Sequence, residues 1–117
     1  MKGDRGRLYL RAHDFYELEG SVAMKLSPQA ALEVCRSAAG NGLVIARVEG
    51  GIWHNPGFEA RLDCIWDGVD PPLNQVAAVA NNDAAAEFVE KQSQAHDVFI
   101  LTAPPITGWP HRKQGPE

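Results

Sequence analysis

The sequence predicts an α+β two-layer sandwich, and three observations carry that expectation. The stretch from Leu43 to Gly68 alternates apolar and charged residues as two strands joined at Asn55-Pro56-Gly57. Segments with helical periodicity stand on either side of it. The apolar run Val98-Phe99-Ile100-Leu101 then reads as a third strand, buried on at least one face. The order α-β-β-α-β gives a small three-stranded antiparallel or mixed sheet. A right-handed crossover through the second helix carries the third strand to the far side of the first, so the strand order is 2-1-3 with both helices on one face. The opposite face is left to water or to a partner.

Residues 1–23 mix charges and aromatics without a sustained period, apart from a short strand pattern at Leu8 to Leu10, and no core is expected from them. Next comes a helix from Pro28 to about Ala39. Ser27 is a good N-cap, Pro28 suits the first helical position, and Ala31, Leu32, Cys35 and Ala38 make an apolar face. Gly40-Asn41-Gly42 supplies a left-handed stop.

In the first strand, Val44, Ala46 and Val48 share one face. In the second, strict alternation puts Phe58, Ala60, Leu62, Cys64 and Trp66 on the apolar side and Glu59, Arg61, Asp63, Ile65 and Asp67 on the other. Gly50-Gly51 reads as a bulge or bend ahead of Trp53. Register cannot be read past that pair, so Trp53 either lies against Pro56 or projects outward as an anchor. Trp66 reads as core.

Asp67 to Pro72 breaks the second strand and forms a surface loop, because proline gives no ladder donor. Leu73 to Ala80 is ambiguous and is assigned a short turn. Asn81 or Asn82 is expected to cap the second helix, which carries Ala85, Phe88 and Val89 as its stripe and ends near Ala95. Residues 103–117 hold four of the chain's eight prolines and read as an extended or flexible tail.

At 117 residues the chain is long enough for one core and too short to expect two. It has no apolar run long enough for a membrane span and no apolar signal-peptide region, so no membrane association is expected and the cytoplasm is the expected compartment. Cys35 and Cys64 are too few for a disulfide framework and read as buried thiols. Net charge is −4, but residues 24–102 hold ten acidic residues against five lysines and arginines. An acidic core without a basic stripe argues against direct nucleic-acid binding and fits a basic protein partner.

Catalytic signals are weak. His13, His54, His96 and His111 are scattered and form no metal-ligand spacing with the cysteines, and no cofactor is called for. Glu59, Asp63 and Asp67 share a strand face by alternation, so a small hydrolase or nuclease using Glu59, Asp63 and His54 is one alternative function. A small-ligand regulatory domain around the tryptophan-lined hairpin is another.

From Met24 onward the residues resemble a known family. The pattern runs through Met24-Lys25-Leu26-Ser27-Pro28, Ala30-Ala31, Glu33-Val34-Cys35, Ala38-Ala39, Gly42-Leu43, Gly50-Gly51, Trp53 and Asn55-Pro56-Gly57-Phe58. Sparser matches continue to Thr102. This is similar to the immunity proteins of colicin E5, a bacteriocin whose nuclease domain cuts tRNA in the anticodon. The resemblance implies an immunity-protein domain over 24–102 that is non-catalytic, cytoplasmic, and bound as an acidic RNA mimic to a basic ribonuclease toxin domain. It also makes residues 1–23 an N-terminal extension, expected to be dispensable, with Met24 as the alternative start. The expected toxin-binding residues are Glu49, Trp53, Glu59, Asp63, Asp67 and Asp70. The segment Pro71 to Ala78 departs from the family's acidic loop, which implies a different choice of toxin.

Overall fold

A computed structural model describes residues 6–54 and 57–110. Its elements are β1 (Leu8–Tyr9), α1 (Ala12–Glu17), β2 (Lys25–Leu26), α2 (Pro28–Ser37), a 3-10 turn (Ala39–Asn41), β3 (Arg47–Trp53), β4 (Phe58–Asp67), α3 (Gln75–Gln92) and β5 (Val98–Thr102). The fold is α+β as expected, and strands β4, β3 and β5 lie in the expected order. The sheet is larger than expected. Two short strands from the first 26 residues extend it to five, ordered β1-β2-β5-β3-β4, with β1 parallel to β2 and the other pairs antiparallel.

The helices cover one face. Val48 and Gly50 of β3 stand beside Leu101 and Phe99 of β5, and Val48 faces Trp66 of β4. Val48, Cys64, Phe99 and Leu101 join Ala31, Val34 and Cys35 of α2 and Ala85, Ala86 and Val89 of α3 in one buried cluster, with Trp66 half-buried against it. Ser27 caps α2 through its hydroxyl, which accepts from the Ala30 N–H at 3.1 Å, and Gly42 turns the chain out of the 3-10 turn at φ +76°.

Four expectations are corrected. The first 23 residues do contribute to the core: Tyr9 and Phe15 are buried in the main cluster, and Tyr16 donates from its hydroxyl to the Val34 carbonyl on α2. They can do so without a long amphipathic period because α1 needs only one deeply buried ring.

The second helix starts six residues earlier than Asn81-Asn82, capped by Asn74, whose side chain accepts from the Ala77 N–H at 2.8 Å. Asn81 and Asn82 lie inside α3, buried and pointing at backbone. Asn82 Oδ1 accepts from Ile45 N–H at 2.8 Å, Asn82 Nδ2 donates to Leu43 O at 3.1 Å, and Asn81 Nδ2 donates to Ile45 O at 2.9 Å. These bonds satisfy the Leu43 and Ile45 backbone groups, while the alternate groups of the same approach are met on its other side, Val44 N–H by Pro104 O at 3.0 Å and Ala46 N–H by Thr102 O at 2.7 Å.

The segment after Thr102 is packed as far as it is described. Ala103 and Pro104 are buried, Leu43 bridges Pro105, and Ile106 donates to Gly42 O at 2.8 Å and accepts from Leu73 N–H at 3.0 Å. Residues 111–117 lie outside the described residues.

The last correction concerns β4. Glu49 pairs with Ile65 and Gly51 with Ala60, so the four residues Arg61 to Cys64 stand opposite the single residue Gly50. An odd number of extra residues reverses which face each later side chain occupies. Ala60 and Leu62, read as core by strict alternation, are exposed, and Leu62 is 86% open to solvent. The paired glycines are needed at this slip. A Cβ on Gly50 would strike Cys64 Sγ and the Phe99 ring, and one on Gly51 would strike the Glu59 carbonyl oxygen and the Phe58 ring. Asn55 and Pro56 of the connection lie outside the described residues. Gly57 has φ +123°, and its carbonyl accepts from the His54 N–H at 2.9 Å.

Candidate functional site

The sheet face away from α2 and α3 is where the charge gathers. Strand pairing lays its side chains in rows: Asp67, Arg47 and Thr102 across β4, β3 and β5, then Ile65, Glu49 and Ile100. At the end of the first row Gly68 turns the chain away, its N–H held by Ala46 O at 2.9 Å, and brings Asp70 beside Glu49 and Asp67. Arg47, Thr102 and Trp109 complete a shallow hollow around these three carboxylates. Trp109 is the member that sequence reading missed. It falls in the segment read as tail, and an unrecognised turn, not a periodic pattern, carries it back over the sheet.

Two acids already hold cations of their own. Arg47 Nε lies 2.7 Å from Asp67 Oδ1 and Nη2 lies 3.3 Å from Oδ2, and these bonds push the guanidinium pKa up. Glu59 meets His54 Nε2 at 2.8 Å and Arg61 Nε at 3.0 Å, and the hydrogen bond from His54, then the Arg61 charge, hold its carboxyl below the usual range. Glu49, Asp63 and Asp70 have no ion pair among the described residues.

The six candidate residues therefore do not form one set. Glu49, Asp67 and Asp70 are brought together. Glu59 pairs with Ile52, whose neighbour along β3 is Gly51, so it sits on the opposite side from Glu49, while Asp63 rides in the bulged segment. Alternation places Trp53 on the Glu49 side, half-buried, with its backbone N–H donating to Asp97 Oδ1 at 2.8 Å. No group of three or more His, Cys, Asp or Glu among the described residues could hold a metal ion. Two apolar hollows among the described residues lie away from the tryptophan hairpin. The larger, about 410 Å³, is lined by residues that include Phe15, Tyr16, Leu43, Ala103 and Pro105.

Carboxylates, an indole and an open sheet face are the materials of protein recognition, and fold and face together define an interaction domain. Residues 24–104 match the family model described as Colicin-E5 Imm protein, and the chain belongs to that family. Its members are immunity proteins rather than enzymes. The chain is 62% identical over 109 residues to the immunity protein CdiI of Burkholderia pseudomallei, covering 93% of this chain and all of the relative. It is 39% identical over 80 residues to the colicin-E5 immunity protein of Escherichia coli and, at the same identity and length, to the colicin-E5 immunity protein in ColE9. Each of those alignments covers 68% of this chain and 96% of the relative.

Proposed function

We propose that this immunity protein binds the tRNA-anticodon ribonuclease domain of a cognate toxin in the cytoplasm, with its acidic sheet face occupying the cleft that would otherwise hold RNA. The observation that carries this reading is the grouping of Glu49, Asp67 and Asp70 on a face that no helix among the described residues covers. A cleft built for RNA phosphates presents lysines and arginines, and carboxylates held on a rigid sheet satisfy them in place of phosphate. The face needs no basic stripe of its own, in keeping with a protein that meets the toxin rather than the nucleic acid. No helix among the described residues is long and apolar enough to cross a membrane.

Such an interface buries about 1,600 Å² in total, with charge setting the association rate and a few buried residues setting dissociation. The open sheet face extends past the hollow to Trp53, and the β4 edge carries Asp63 and Leu62, so contact area is available beyond the acids. Charge reversal of Glu49 and Asp70 together tests the reading in cells producing the toxin. Protection is expected to be lost while the purified double variant melts as the parent does. Full protection by that variant would place the contact surface elsewhere.

A further inference from the structure

We infer that Trp109, with Glu49 and Asp70, forms a receptor for one cationic side chain of the toxin, a lysine or arginine with an apolar neighbour; this rests on the toxin-binding function proposed above. Residues 103–108 are held in place after β5. Ile106 N–H is held by Gly42 O at 2.8 Å and Gly108 N–H by Pro105 O at 3.1 Å, and Gly108 takes φ +144°. That turn sets Trp109 beside Thr102 at the end of the sheet, with 51% of its surface open. A large indole left half-open on a firmly held turn marks a contact residue, since tryptophans of this kind dominate binding energy where they are found at interfaces.

The indole stands between two hollows of different chemistry. On one side lie Glu49 and Asp70 with the Arg47–Asp67 pair. On the other lie Val22, Ala103, Pro104, Pro105 and Pro110, lining a hollow of about 340 Å³ that is mostly apolar. Arg47 does not oppose an incoming cation strongly, because Asp67 already neutralises it. Two carboxylates with no ion pair among the described residues, beside an indole, are the chemistry that selects a guanidinium or ammonium, through charge-assisted hydrogen bonds and cation–π attraction together. The apolar hollow then receives the aliphatic or ring residue beside that cation. Trp109 also lies beyond residues 24–104, the part matched by the family model, so the receptor joins acids of the family domain to an indole outside it.

The test measures binding kinetics against a catalytically inactive form of this chain's cognate toxin domain, the one encoded beside it. Trp109→Ala is expected to raise Kd about tenfold or more, chiefly through faster dissociation, with Trp109→Phe retaining most of the affinity. Asp70→Asn is expected to weaken binding and to flatten its salt dependence. Combined with Trp109→Ala it is expected to cost less than the two separate losses add up to, because both residues hold the same group. Melting curves of each variant establish that the fold is intact. Binding by Trp109→Ala within twofold of the parent, or strictly additive losses, would overturn the receptor while leaving the toxin-binding reading in place. Failure of the parent chain itself to bind the domain would overturn both.

Discussion

Arg47 on β3 and Asp67 on β4 face each other across the hairpin and close a two-pronged ion pair, Nε to Oδ1 at 2.7 Å and Nη2 to Oδ2 at 3.3 Å. The pair puts a cation in the middle of an acidic face. Both groups are open to solvent, so the pair adds little to stability, and its weight falls on the charge that a partner meets. Arg47→Ala is expected to leave the melting temperature nearly unchanged and to speed association with a basic toxin domain at low salt. Stopped-flow association rates check this. A slower rate would mean that Arg47 makes a contact of its own.

Asn82 is a stronger structural determinant than any surface ion pair. Its buried carboxamide holds Ile45 N–H and Leu43 O, and no other group replaces those partners. Asn82→Ala leaves a buried donor and acceptor unmet, and a loss of about 2–3 kcal/mol is expected. Urea unfolding gives the number, and an unchanged midpoint would show that water or a shifted backbone takes over.

At the β4 slip, Gly51→Ala sets a methyl against the Glu59 carbonyl and the Phe58 ring. The backbone oxygen cannot rotate away as a side chain would. A loss of about 1–3 kcal/mol is expected, together with faster amide exchange along 58–61. Unaltered exchange there would mean that the strands separate without strain.

The thiol of Cys35 is fully buried in the core, and desolvation pushes its pKa up to about 12 from an ordinary 9.0. A raised pKa means that the folded state keeps its proton longer than the unfolded one. Its contribution is whole below the ordinary thiol value and drains away as pH climbs from there toward about 12. Cys35→Ala is therefore expected to shallow the alkaline fall in stability, and native Cys35 is expected to resist alkylation at pH 8. Rapid labelling in the folded protein would contradict that burial.

Much of this architecture was legible because local rules agreed with the tertiary outcome. Ser27-Pro28 announced α2, the apolar run at Val98 announced β5, and the hairpin with its crossover fixed the order of the three longest strands. What escaped was held by long-range contacts with no local signature. Two-residue strands such as Leu8–Tyr9 carry no period, and Asn81-Asn82 resembled a cap because asparagine serves either a helix start or buried backbone. Gly50-Gly51 did signal a bulge. The glycines did not say that the opposite strand gains residues, and so Glu59 was grouped with Asp67 when the slip separates them. Alternation and charge marked Asp67 and Asp70 as candidates, whereas the placing of Trp109 depends on a turn.

The most direct measurement is hydrogen–deuterium exchange of the chain alone and in complex with its toxin domain. New protection is expected along 47–53, 65–70 and 102–110, with the solvent side of α3 unchanged. Protection centred on α2 and α3, with the sheet face exchanging as in the free protein, would contradict it.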